Sequence, residues 1–199
     1  MKLSLFLSKN SVNLNIDNHR KYNMKVFAFA GSNSSTSINK QLVKFVLKSF
    51  SDHEINLIDL NDYNMPIFSV DLEKNGFPEE AHRFLDNIAE SDFIICSLAE
   101  NNRSYSAAFK NVFDWASRIN VKVFQDKPML LMTTSPGGYG GGNVMAEALK
   151  FFPQFGAIIK ESFSLPKFYE NFDLNNGIIN PEHLSTLNEK IDNFKKQLS

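Results

Sequence analysis

Little in this chain announces a chemistry by composition. Cys96 is its single cysteine among 199 residues, so an internal disulfide is excluded and a reducing compartment fits. Cys96 lies inside an apolar run, which suits a buried inert thiol better than a nucleophile. Charge of one sign is also missing. The 21 basic and 22 acidic residues leave a net charge of −1, and nothing in that balance calls for nucleic acid or a membrane surface. No run approaches the roughly 18 apolar residues needed to cross a bilayer. There is no HExxH, no CxxC and no GxSxG. The histidines, His19, His53, His82 and His183, are scattered without metal-ligand spacing, so no metal site is expected. Glu100 has no second carboxylate beside it to make an acid–base pair. Tryptophan occurs once against 19 phenylalanines, which reads as core material.

What is present is an alternation of buried strands and amphipathic helices. Residues 1–23 hold a short apolar patch, Leu3 to Leu7, and then an Asn-rich polar run. The patch is shorter than the roughly 7–15 residues of a signal-peptide core, so this segment reads as a disordered extension or an upstream start. Met24 then opens a domain over 24–199. Val26 to Ala30 is a continuous apolar run that ends at Gly31, as a strand buried on both faces would. Gln41 to Phe50 has helical apolar spacing. Further strands are expected at 55–60, 93–98, 127–132 and from 156 toward 163. Further helices are expected at 78–89, 107–119, 144–155 and 180–198. Alternating β and α units imply an α/β fold: a five-stranded parallel sheet in the flavodoxin-like order 2-1-3-4-5, covered on both faces as a three-layer sandwich. Ligands of such sheets bind at the carboxyl ends of the strands, so the loops after strands one, three and four matter most.

The first of these loops, Gly31 to Asn39, is dense in hydroxyls and amides. A turn entering a helix N-terminus offers unpaired N–H groups and partial positive charge, which suits a phosphate. An ordinary Ser-capped β–α turn explains the stretch equally well. With one glycine, it is neither a Walker loop nor a dinucleotide fingerprint. The second loop, Ala99 to Ser106, can offer main-chain groups of 99–102 and the Asn102 amide to the edge of a flat polar ring, or can simply be a solvated loop with a Ser cap. The third loop places glycines at 137, 138, 140, 141 and 142, a large entropic cost for a connector, and lets backbone approach a ligand. A phosphate pocket with no acid–base constellation suggests that a cofactor carries the reaction.

Together the three loops resemble the NAD(P)H-dependent FMN reductase family of flavodoxin-like flavoproteins, over about residues 24–165 and more loosely the closing helix. The family's G-S-x-R-x-x-S-x-N is matched by Gly31, Ser32, Ser37 and Asn39, with Ser34 where arginine is usual. Its P-E-Y-N-G-S-Y-P-G-x-L-K-N-x-x-D-W is matched by Glu100, Asn102, Ser104, Tyr105, Lys110, Asn111, Asp114 and Trp115. Ala99, Asn101 and Arg103 stand there in place of proline, tyrosine and glycine. Its S-x-G-x-x-G-G is matched by Ser135, Gly137, Gly140 and Gly141.

The resemblance implies FMN, its phosphate on Ser32, Ser37, Ile38 and Asn39 and its ring between Ala99, Glu100, Asn101, Asn102 and Ser135, Gly137, Gly138. It implies hydride passing from NADPH or NADH to flavin N5 and on to a small acceptor: a flavin, quinone, azo compound or metal ion. Such a transfer needs no proton-transferring side chain, so no catalytic residue is named. A cytoplasmic homodimer or homotetramer is implied as well. Without arginine at 34, amides and hydroxyls carry more of the phosphate. Arg103 could meet a dinucleotide phosphate, an anionic acceptor or a partner subunit. The alternative reading is a flavodoxin-like electron-transfer or flavin-binding protein without NAD(P)H turnover. Such proteins tend to be strongly acidic around the flavin, which a net charge of −1 does not suggest.

Overall fold

The computed structural model describes residues 23–198, so the expected extension lies, but for Asn23, outside the described residues. The described chain runs β1 (Lys25–Gly31), α1 (Ile38–Leu47), β2 (Glu54–Ile58), α2 (Val70–Glu73), α3 (Glu79–Ala89), β3 (Phe93–Leu98), β4 (Glu100–Asn101), β5 (Ser104–Tyr105) and α4 (Ala107–Ile119). It continues with β6 (Lys127–Thr134), α5 (Gly142–Phe151), β7 (Ala157–Leu165), α6 (Phe168–Asn171), β8 (Phe172–Asp173), β9 (Gly177–Ile178) and α7 (Pro181–Lys196). The main sheet is parallel throughout and ordered β2-β1-β3-β6-β7, the flavodoxin-like order expected from the alternation.

Strand residues alternate between two cores, which is why the strands read as unbroken apolar runs. Phe27, Phe29, Ile94, Cys96 and Leu131 face one side and pack with Phe84 of α3, Phe109 and Trp115 of α4 and Val144 of α5. Val26, Ala28, Phe93, Ile95 and Leu130 face the other, against Leu42 and Val46 of α1 and Leu187, Ile191 and Phe194 of α7. Burial pushes the Cys96 thiol well above its ordinary range, so the thiolate is not accessible at neutral pH.

Several boundaries differ from the sequence expectation, each for a local reason. β2 stops at Ile58 because Asp59 caps a 3-10 turn, its Oδ1 accepting from Asn61 N at 3.0 Å. The helix expected over 144–155 begins at Gly142 and stops at Phe151; a 3-10 turn containing Pro153 follows and ends at Gly156, φ 81°. β6 continues to Thr134, two residues past the expected end, and so delivers the glycine loop. The loop after β3 contains a small hairpin of β4 and β5.

Candidate active site at the carboxyl edge of the sheet

β1 ends on glycine, Gly31, where a Cβ would crowd Leu98, standing 2.9 Å from its Cδ2. The chain then folds on its own hydroxyls. Ser34 N donates to Ser32 Oγ at 3.2 Å, Thr36 N to Ser34 Oγ at 3.3 Å and Ser37 N to the Ser34 carbonyl at 3.1 Å. Ser37 is the N-cap of α1, its Oγ accepting from Lys40 N. Asn33, Ser34, Ser35 and Thr36 are exposed. The N–H groups of Ile38 and Asn39 have no acceptor among the described residues. They point out of the positive end of a 10-residue helix, with hydroxyls around them and no Lys or Arg in 31–37.

Asn39 differs from its expected role. Its side chain is 3% exposed and turned into the sheet. Asn39 Oδ1 accepts from Ser97 Oγ at 2.7 Å and from Thr134 N at 3.1 Å, and Nδ2 donates to the Thr134 carbonyl at 3.3 Å. The amide therefore joins the start of α1 to the ends of β3 and β6. Only its main-chain N–H remains for a phosphate.

The second loop is tied down at four points. Ser106 Oγ donates to the Gly31 carbonyl at 2.8 Å and caps α4 by accepting from Phe109 N at 3.1 Å. Ser104 Oγ donates to Glu147 at 2.9 Å. Tyr105 stacks on Phe152, ring centroids 5.9 Å apart, and burial pushes its phenol well above the ordinary tyrosine range. Glu100 spans to the third loop: one oxygen accepts from the N–H groups of Asn143 and Val144 at 2.8 and 3.0 Å, the other from Asn143 Nδ2 at 3.0 Å. Gly141, the N-cap of α5, has no side chain to cap with, and the carboxylate supplies the cap from a neighbouring loop. Both Glu100 oxygens are thus engaged by protein. At the hairpin tip Asn102 and Arg103 have φ of 51° and 69°, the pattern of a two-residue turn between antiparallel strands.

The glycine loop divides into halves. A Cβ at Gly140 would meet Ser164 Oγ at 2.4 Å, one at Gly141 would meet Thr133 Cβ at 3.0 Å, and one at Gly142 would meet the Tyr139 ring at 2.6 Å. Gly140 and Gly141 are glycine because protein packs on them, whereas the Tyr139 ring beside Gly142 is exposed. Gly137 and Gly138 are exposed, and a Cβ at Gly138 would meet nothing within 4 Å. Their N–H groups have no acceptor among the described residues, while the Gly137 carbonyl holds Lys167 N at 2.9 Å. Ser135 holds Phe168 N through its carbonyl at 3.0 Å.

The motif on α4 supports a fourth loop that sequence reasoning passed over. Asn111 Oδ1 accepts from Phe68 N at 2.9 Å, and its Nδ2 donates to the carbonyls of Met65 and Pro66 at 3.2 and 3.1 Å. Buried Trp115 donates from Nε1 to the Pro66 carbonyl at 2.8 Å. Lys110 and Asp114 pair with each other on the helix surface at 2.6 Å. Between this loop, the hairpin and the first loop lies a cleft of ≈520 Å³. Asn33, Asn61, Asn64 and Asn101 line it over an apolar floor that includes Leu60 and Met65, and none of its lining residues is charged. A Pro–Ile–Phe run beginning at Pro66, held by the Asn111 amide 43 to 45 positions away, is a signal visible only in three dimensions.

The expected residues therefore meet at one sheet edge. Ser32, Ser37 and Ile38 lie on the first loop, Ala99, Glu100, Asn101 and Asn102 on the second, and Ser135, Gly137 and Gly138 on the third. The donor set fits FMN: free helix-end N–H groups and hydroxyls suit its phosphate, and open backbone N–H groups at 137–138 suit a flat heterocycle. Among the described residues no group of three or more His, Cys, Asp or Glu could hold a metal ion, and no helix is long and apolar enough to cross a membrane.

The chain is similar in sequence and in fold to known proteins. A family model, NADPH-dependent FMN reductase, matches residues 24–170. The chain is 32% identical over 165 residues to an NADPH:quinone oxidoreductase of Arabidopsis thaliana, covering 78% of this chain and 82% of that one. It is 34% identical over 119 residues to a 2-hydroxy-1,4-benzoquinone reductase of a Burkholderia species, covering 59% and 63%. A solved flavoenzyme NAD(P)H:(acceptor) oxidoreductase from Paracoccus denitrificans superposes with a TM-score of 0.70 at 26% identity, over 88% of this chain and 97% of that one.

Proposed function

The chain belongs to the NADPH-dependent FMN reductase family, an oxidoreductase family using FMN and NAD(P)H, and on that premise we propose that it reduces small quinone-type acceptors through bound FMN. The observation that carries this reading is the convergence of the phosphate-type helix end, the hairpin and the open glycines on one edge of the sheet. FMN, when bound, supplies hydride acceptance and donation at its ring.

The chain's own residues do the binding and orienting. The N–H groups of Ile38 and Asn39, with the hydroxyls of Ser32 to Thr36, would hold the phosphate without a cation. The Asn39 amide fixes the three loops relative to one another. Glu100 holds the hairpin against α5, so the main chain at 99–102 would offer the ring a fixed wall. The free N–H groups of Gly137 and Gly138 would donate to the polar edge of the ring and would favour negative charge there. The amide-lined cleft beside Asn101 takes the acceptor. Its uncharged donors and acceptors over an apolar floor match a flat neutral quinone. A cytoplasmic homodimer or homotetramer belongs to the same proposal; exposed apolar side chains such as Ile67, 84% exposed beside the cleft, support the pairing of subunits.

The test is the visible spectrum of purified protein before and after anaerobic NADPH or NADH. A yellow protein bleached within seconds, and re-oxidised by benzoquinone, is the expected result. A colourless protein that takes up no added FMN overturns it.

A further inference from the structure

We infer that Arg103 is the specificity residue that receives a phosphate of the reducing dinucleotide, an inference that rests on the reading just given. The backbone at 103 is left-handed, φ 69°, in a two-residue turn where glycine would sit without strain. A long branched cation is held there instead. Strain kept at a binding loop marks a side chain whose position matters. The hairpin beneath is rigid: Glu100 is fixed to α5, Ser104 to Glu147 and Ser106 to the end of β1. The tip therefore carries exposed Arg103 on a fixed base at the carboxyl edge.

Arg103 is also the only Lys or Arg in the three loops, 31–37, 99–106 and 135–141. Neighbouring cations are each matched with a carboxylate: Lys40 with Asp59, Lys110 with Asp114, Arg118 with Glu73 and Lys167 with Glu170. Arg103 is exposed and has no ion pair or hydrogen bond among the described residues. The phosphate of FMN has its own place at the start of α1, and the cleft for the acceptor has no charged lining. The remaining polyanion in the reaction is the dinucleotide, and a guanidinium fork matches phosphate geometry.

The experiment uses FMN-loaded wild type, Arg103→Gly and Arg103→Lys. Glycine suits the turn, so the first variant folds, and lysine keeps the charge without the fork. Anaerobic stopped-flow gives the apparent Kd of NADPH and of NADH for flavin reduction. Calorimetry with NADP+ and NAD+ gives binding without turnover. Arg103→Gly should weaken binding about tenfold, with Arg103→Lys in between. Loss for both dinucleotides supports the inference through the shared pyrophosphate. Loss confined to NADPH and NADP+ supports it through the 2′-phosphate. Affinities within about twofold of wild type for both overturn it, as does an effect seen only in the KM of the acceptor. A flavin that neither dinucleotide reduces, in wild type as in the variants, overturns this inference and the proposed function together.

Discussion

Asn39 and Arg103 are the residues on which sequence and structure bear most differently. Asn39 belongs to a polar loop, and its amide and the family motif suggested a phosphate donor. Its amide instead ties the start of α1 to two strand ends, with Ser97 of β3 and Thr134 of β6 as partners. Asn39→Ala should leave the buried Ser97 hydroxyl and Thr134 N–H unpaired and cost about 3 kcal/mol, read as a lower urea midpoint at unchanged m-value. Arg103 predicts the opposite sign. Removing its left-handed strain in Arg103→Gly should raise stability by about 0.5–1 kcal/mol in the same assay, even as dinucleotide binding falls. A side-chain amide looks the same in sequence whether it faces solvent or the core. Burial decides, and burial follows from how α1 docks.

Among the elements, the glycine loop shows how one composition serves two ends. Gly141→Ala should lose about 1–3 kcal/mol, because its φ of 80° and the nearby Thr133 Cβ both resist a methyl group. Gly138→Ala should leave the urea midpoint within about 0.5 kcal/mol of wild type and weaken FMN binding, since its Cβ points into open space. Equal effects of the two substitutions on both readouts would remove the division proposed here. The joint between α1 and β2 predicts a pH effect. The Lys40 ammonium, then the Asn61 N–H, lower the Asp59 carboxyl below its ordinary 3.8. A depressed acid contributes stability above its unfolded pKa and loses it as pH falls through the folded one. Asp59→Asn should therefore be less stable than wild type at neutral pH and converge with it in acid melts below about pH 4. The five strands, their order and most of the helices were legible from apolar runs and spacing. Missed were the hairpin at 100–105 and the loop held by Asn111 and Trp115, since two-residue strands and cross-chain hydrogen bonds leave no periodicity.

At the scale of the whole molecule, a ligand that binds the folded state stabilises it by mass action. FMN at a hundred times its Kd should add about 2.7 kcal/mol, or about 5–10 °C in Tm for a chain of this size. Riboflavin at the same concentration should add much less, because it lacks the phosphate that the start of α1 is arranged to receive. Equal shifts from both would mean that the helix end is an ordinary cap. The sheet makes this coupling possible: the three loops leave adjacent strands, so one ligand braces β1, β3 and β6 together.

By itself the sequence determined the class of fold, the strand order, the edge on which a site must lie and the family, because these depend on periodicity, chain direction and local motif. Only the tertiary structure decided which polar groups face a ligand and which face one another. Asn39, Glu100 and Gly140 are bound up with partners 24 to 95 positions away, and Gly141 with the side chain of Thr133 packed against it. A hydrogen-bonding group can satisfy itself on solvent, ligand or protein, and which of these it finds depends on the distances left once the helices have docked on the sheet.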